Sequence, residues 1–141
     1  MQLAVSFDLG QFHKELTAAA RVAVLQTAQT ALREESSRLR LEAAQQFATE
    51  GSHGGTPWAR RKKPTPRPLL ILTGNLLRSL TEEKNPAHIE RLDVDERGNP
   101  YLVFGSSVSY STFHQRGTRY MPQRELLTAS MLGGSVASFP F

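Results

Sequence analysis

The chain has no cysteine among its 141 residues. Disulfides and thiolate metal sites are excluded, and the redox compartment leaves no mark. Aromatic residues are scarce at 8%, and hydrophobic residues reach only 39%. The length suits one domain, here residues 1–141. Size scaling predicts a folded surface of roughly 7,300 Å² against roughly 22,800 Å² unfolded, enough burial for one modest core. A lean core in a short chain favours stabilisation by partner subunits. No stretch approaches the roughly 20 apolar residues that cross a bilayer. Met1 to Gly10 alternates in polarity and lacks the basic then apolar order of a secretory signal. A soluble protein made in the cytoplasm, with no membrane partner, is expected.

Signatures of chemistry are also missing. There is no G-x-x-x-x-G-K-[ST] or G-x-G-x-x-G phosphate loop. No G-x-S-x-G nucleophile elbow accompanies the Gly-Ser-His53-Gly-Gly stretch, which therefore reads as a flexible loop rather than an oxyanion turn. His13, His53, His88 and His114 have no metal-ligand spacing. Glu34, Glu35, Glu82, Glu83, Asp93 and Asp95 read as solvated faces. The expectation is no catalytic, metal or cofactor site, and hence no enzyme.

What is present is an α+β pattern. Leu3, Val5 and Phe7 alternate with Gln2, Ala4, Ser6 and Asp8, which predicts a strand with one buried face. From Gln11 to about Thr49 there is no Gly or Pro. Phe12, Leu16, Ala19 and Ala23 share a stripe that Leu25, Ala28, Leu32, Leu39, Ala43 and Phe47 continue, predicting one long amphipathic helix. At 1.5 Å per residue it is roughly 57 Å long, too long for a domain with a radius of gyration of roughly 14 Å. Either it bends or one end leans on something else. Ala18, Leu25, Leu32 and Leu39 repeat by seven, but Arg21, Glu35 and Glu42 among their partners argue against a self-contained coiled coil.

Residues 51–68, Gly-Ser-His-Gly-Gly-Thr-Pro-Trp-Ala-Arg-Arg-Lys-Lys-Pro-Thr-Pro-Arg-Pro, are expected to be an extended, basic, Pro-rich arm. Thr73 is placed to cap a short helix through Leu80, with Leu76, Leu77 and Leu80 inward. Two strands, 88–95 and 101–105, flank a turn at Glu96 to Pro100 and make a hairpin. Ser109 is placed to cap a turn from Tyr110 to Arg116, closed by Gly117. Glu125 to Thr128 reads as a strand or short helix, and 133–141 as a mobile tail. The long and short helices are expected to pack on a small, mostly antiparallel sheet.

Two features stand out. Arg60, Arg61, Lys62, Lys63 and Arg67 beside Trp58, the one tryptophan in a chain of net charge +4, are candidates for partner or DNA contact. Five such charges on duplex DNA give a salt slope of about −4.5. Tyr110, Phe113 and His114 share one face of a helical turn and read as an anchor on the core, with His114 hydrogen-bonded and neutral.

Taken in order, five segments resemble a known family. They are Gly55-Thr-Pro-Trp58, Leu72-Thr-Gly-Asn-Leu-Leu-Arg-Ser-Leu80, the hairpin ending Val103-Phe-Gly-Ser-Ser107, Tyr110-Ser-Thr-Phe-His-Gln-Arg-Gly117 and Met121-Pro-Gln-Arg124. The set, over roughly residues 10–128, resembles the virion morphogenesis or tail completion proteins of tailed phages, including Mu-like and P2-like phages. The family pattern maps onto Trp58, Thr73, Gly74, Leu76, Ser79, Tyr110, His114, Gly117, Pro122 and Arg124. Ser111 stands where Ala is usual, and Gln123-Arg-Glu125 where Ala-Arg-Pro is expected, which leaves the path after Pro122 open.

The resemblance implies a structural virion protein at the neck or the head-proximal end of the tail. It implies a ring around the DNA channel, commonly six-fold and built from heterologous contacts. The implied partners are further copies of the chain and neighbouring neck or tail proteins: a connector or head-closure ring, a tail terminator or the tail tube. Non-specific contact with genomic DNA is a further implied interaction. The 51–68 arm is expected to cross to a neighbouring subunit. A tail terminator or head-closure protein is the alternative within the class. A basic nucleic-acid-binding protein acting through residues 60–67 is the alternative outside it.

Overall fold

The computed structural model describes residues 1–6, 17–71, 74–132 and 137–138. The expected positions Phe7, Phe12, Leu16 and Thr73 lie outside the described residues, as do 133–136 and 139–141 of the expected tail.

The architecture is α+β. Strand β1 (Gln2–Ser6) is followed by helix α1 (Ala18–Ala48) and a 3-10 turn (Ser52–Gly54). Helix α2 (Asn75–Thr81), strands β2 (His88–Val94) and β3 (Pro100–Ser106) and helix α3 (Ser111–Arg116) come next. A second 3-10 turn (Ala129–Leu132) and the two-residue strand β4 (Ala137–Ser138) complete the order. The sheet runs β2-β3-β1-β4, and every pairing is antiparallel. The expected hairpin is present. The Asp95 carboxylate closes its turn by accepting the Arg97 and Asn99 N–H groups, and Gly98 supplies the positive φ of 82°.

Period two fixes which strand residues meet the helices. Leu3 and Val5 on β1, with Leu102 and Phe104 on β3, are buried with Leu32, Leu39, Ala43 and Phe47 of α1. Leu76 and Leu80 of α2, then Leu126, Leu127 and Met131, complete the same cluster. Ser79 is fully buried; its hydroxyl donates to the Leu76 carbonyl at 2.6 Å and meets the Ser106 hydroxyl at 2.7 Å. His88 accompanies it, with Nδ1 2.7 Å from the Ser79 carbonyl and Nε2 3.1 Å from Glu90. Glu90 is in turn held by Arg40 at 2.5 Å, tying β2 to α1.

Several expectations are corrected. Helix α1 starts at Ala18 rather than Gln11, because Thr17 is extended and its hydroxyl accepts the Ala20 N–H. At 31 residues it is about 46 Å long. Every buried residue of α1 lies from Leu32 onward, and Ala19 and Ala23 are exposed. The apolar stripe thus meets the core over its second half only. Helix α3 begins at Ser111, with Tyr110 at the cap position and no side chain capping it, so Ser109 does not take that role. Residues 125–128 are neither strand nor helix.

Residues 51–68 are not a free extended arm. Gly51, at φ 93°, turns the chain after α1. A Cβ there would stand 2.5 Å from the Trp58 ring, so glycine is required twice over. The Trp58 N–H then donates back to the Glu50 carbonyl at 2.8 Å. Farther on, the Arg61 guanidinium donates to Thr65 Oγ1 and to the carbonyls of Arg67 and Pro68, at 2.6–2.8 Å. An arginine inside the run, invisible as such in the sequence, closes the prolines into a compact loop.

Candidate functional site

The chain after Pro122 decides where the site lies, and buried amides hold it. Gln115, on the inward face of α3, accepts the Leu126 and Leu127 N–H groups at Oε1 and donates from Nε2 to the Leu127 carbonyl at 2.7 Å. Gln46 of α1 donates to the Glu125 carbonyl and accepts the Gly54 N–H, both at 2.8 Å. The segment lacks a β-ladder, so side-chain amides supply the partners its backbone needs. The inward positions of α3 are therefore Ser111 and Gln115. Tyr110 and Phe113, expected to anchor on the core, are 40% and 53% exposed.

Trp58 joins this clasp. It is buried, stands edge-on to Phe47 with ring centroids 5.3 Å apart, and donates Nε1–H to the Glu125 carbonyl at 2.9 Å. Its expected place against a partner or DNA is corrected: the indole is a core group.

The rest of the basic run divides. Arg60 reaches Glu50 at 2.9 Å and is itself largely exposed. Arg61 is committed to its loop. Lys62 and Lys63 are exposed, with no carboxylate partner among the described residues. Arg67 points along a cleft of about 530 Å³ that the 61–71 segment forms with α2 and α3.

This cleft is where the resemblance positions meet. Gly74, Leu76, Tyr110, His114 and Arg124 line it, from three separate stretches of chain. Gly74 stands at the head of α2 with φ 79°. Leu76 is buried beneath. Tyr110 stands edge-on to His114, ring centroids 6.0 Å apart. Arg124 is pinned by its backbone N–H on the His114 carbonyl at 2.8 Å and by Nε on the Ala59 carbonyl at 2.9 Å. Gly117, at φ 73°, lets residues 117 and 123 approach; a Cβ there would stand 2.9 Å from the Gln123 nitrogen. Ser79 and Trp58 sit behind in the core, and Pro122 is exposed. Leu69, Leu70 and Ile71 form the apolar wall, with Leu70 held at φ 62°. Such a conformation is strained for a branched side chain and persists only where the surroundings enforce it. Nothing in the residue types around Leu70 signals it.

The electrostatics are one-sided. Arg61, Arg67 and Arg124 face the cleft, and no carboxylate belongs to its described lining. Burial, and secondarily the charge of Arg61, lowers the Arg124 pKa. Burial, and secondarily Arg124, pushes His114 below its ordinary 6.5. The imidazole is thus neutral at pH 7, but its Nδ1 is buried without a hydrogen-bond partner among the described residues, unlike the expected bonded form. A depressed histidine pKa stabilises the fold above pH about 6.5; as pH falls below that value the unfolded chain takes up the proton first and stability declines. In urea melts at pH 7.5 and 5.5, His114→Gln should lose less stability on acidification than the parent. Equal losses would mean that His114 is charged in the native state.

Among the described residues, no group of three His, Asp or Glu side chains stands close enough to hold a metal. No family model, curated protein or solved structure matches the chain.

Proposed function

We propose that this chain is a structural protein of a tailed-phage virion, acting at the head–tail interface as a tail completion or neck joining protein. It works by shape, as one subunit of a ring around the DNA channel that contacts the rings above and below. The observation that carries this reading is the convergence of Gly74, Leu76, Tyr110, His114 and Arg124 on one cleft. Five positions of a motif set spread over fifty residues of sequence line a single surface feature, as a shared contact surface requires and a chance set of short matches does not.

A second feature supports a subunit role. The first half of α1, Ala18 to Ala31, contains no buried residue and only one charge, Arg21. A helix half with a single charge, carrying Val22, Val24 and Leu25, is suited to cover by a neighbour. Nucleic-acid binding keeps support from Lys62 and Lys63, which are exposed and unpaired among the described residues.

The test is direct. Virions of the phage encoding the chain are purified, their proteins identified by mass spectrometry, and the neck averaged to side-chain resolution. A closed ring of this chain between head and tail is expected. Its absence from finished particles would overturn the reading. Salt-dependent duplex binding abolished by neutralising Lys62 and Lys63 would then favour the nucleic-acid role.

A further inference from the structure

We propose that the cleft between the 61–71 segment, α2 and α3 is a docking site for a partner protein's extended segment in which a carboxylate stands beside a large apolar side chain. The inference stands apart from the phage reading, since it asks only for a protein partner.

The two halves of the cleft require the two halves of that ligand. On one side, Arg67 is exposed and makes no ion pair among the described residues. Arg124 uses Nε on the Ala59 carbonyl, which leaves its terminal nitrogens without an acceptor among the described residues. Arg61 lies close enough to Arg124 to disfavour its charge. Cations gathered without a carboxylate repel one another, and an incoming anion relieves that repulsion. A guanidinium held by Nε presents its remaining N–H groups in a fixed fork that matches a carboxylate.

On the other side stand Leu70 and Ile71, only partly covered by the core. The Leu70 backbone is held at a positive φ, and its side chain packs against the core with part of its surface open. At about 530 Å³ the cleft has room for a few side chains and falls in the size range of ligand sites, about 300–1,000 Å³. A phosphodiester strand would use the guanidiniums but bury nothing apolar against Leu70 and Ile71. The groups placed for phosphate are Lys62 and Lys63, which do not line the cleft.

The experiment selects a random peptide library, displayed on yeast, against the immobilised full chain. Enriched peptides are then measured by fluorescence anisotropy beside a short DNA duplex. Enriched sequences should place Asp or Glu next to Leu, Ile or Phe. Binding should weaken about tenfold or more in Arg67→Gln, the loss of a charged hydrogen bond. A similar loss is expected in Leu70→Gly, which keeps the positive φ while removing the wall. Lys62→Gln with Lys63→Gln should leave peptide binding unchanged.

Near-ultraviolet circular dichroism of Trp58 confirms that each variant is folded. Enrichment without an acidic–apolar pattern overturns the proposal, as does peptide affinity indifferent to both cleft variants. A duplex that competes with the peptide and is lost in Arg67→Gln would assign the cleft to nucleic acid. Self-association by sedimentation that vanishes in Arg67→Gln would assign it to a second copy.

Discussion

Replacing Trp58 by Ala should destabilise the protein by about 3–5 kcal/mol, the range for removing a large aromatic from a packed core. The side chain is 4% exposed and meets Phe47 edge-on. Its removal leaves a cavity where α1, the 51–58 turn and the 123–128 segment join. Urea denaturation read by far-ultraviolet circular dichroism measures the loss, and the melting point should fall by on the order of 10 °C. Trp58→Phe separates packing from hydrogen bonding. It keeps most of the apolar surface while losing the Nε1–H donor and the part of the packing that the second ring supplies. The Glu125 carbonyl retains Gln46 as a partner at 2.8 Å, so the second variant should cost about 1–2 kcal/mol. An alanine variant as stable as the parent would return Trp58 to the surface and undo the account of the basic loop.

Gln115→Leu should be comparably severe, although the substituted side chain is polar and lies on a six-residue helix. Two N–H groups and one carbonyl, of Leu126 and Leu127, lose their partners while buried. Each orphaned group costs about 1–3 kcal/mol and the three are not additive, so a loss on the order of 4 kcal/mol is expected. Gln115→Glu is the informative companion. Its carboxylate still accepts the two N–H groups but has no proton for the Leu127 carbonyl, so the defect should shrink as pH falls and the acid regains a donor. Hydrogen exchange of the Leu126 and Leu127 amides reports the same contacts locally. Unchanged protection in the leucine variant would show that the clasp is held some other way.

Both expectations rest on residues whose role the sequence reads wrongly or not at all. Trp58 lies among Pro, Gly and basic residues, a composition that reads as exposed loop. It is buried because Gly51 turns the chain beneath it and Phe47 offers a ring edge. Gln115 and Gln46 look like ordinary helix-surface residues. They face inward because the segment opposite has backbone groups to satisfy and no strand to satisfy them. Tyr110 and Phe113 are the mirror case: their spacing predicts an anchor on the core, but both side chains are exposed. Periodicity names a face of a helix; the neighbours decide which face is wanted.

The legible parts are those in which backbone period and local chemistry act alone. The alternation of Leu3 and Val5, the stripe Leu32-Leu39-Ala43-Phe47 and the Asp95–Asn99 turn each follow from geometry repeated within a few residues. Sequence by itself therefore determined the α+β class, the long and short helices and the antiparallel hairpin. It also placed Gly117 where the chain closes a turn at positive φ. Tertiary structure alone decided that the basic loop folds onto itself through Arg61, that two glutamines and a tryptophan secure the segment after Pro122, and that Arg67 and Arg124 come to share a cleft with Leu70. Those outcomes depend on which polar groups meet across long stretches of chain. A buried donor or acceptor takes whatever partner the packing brings, and no local pattern of residues records that meeting.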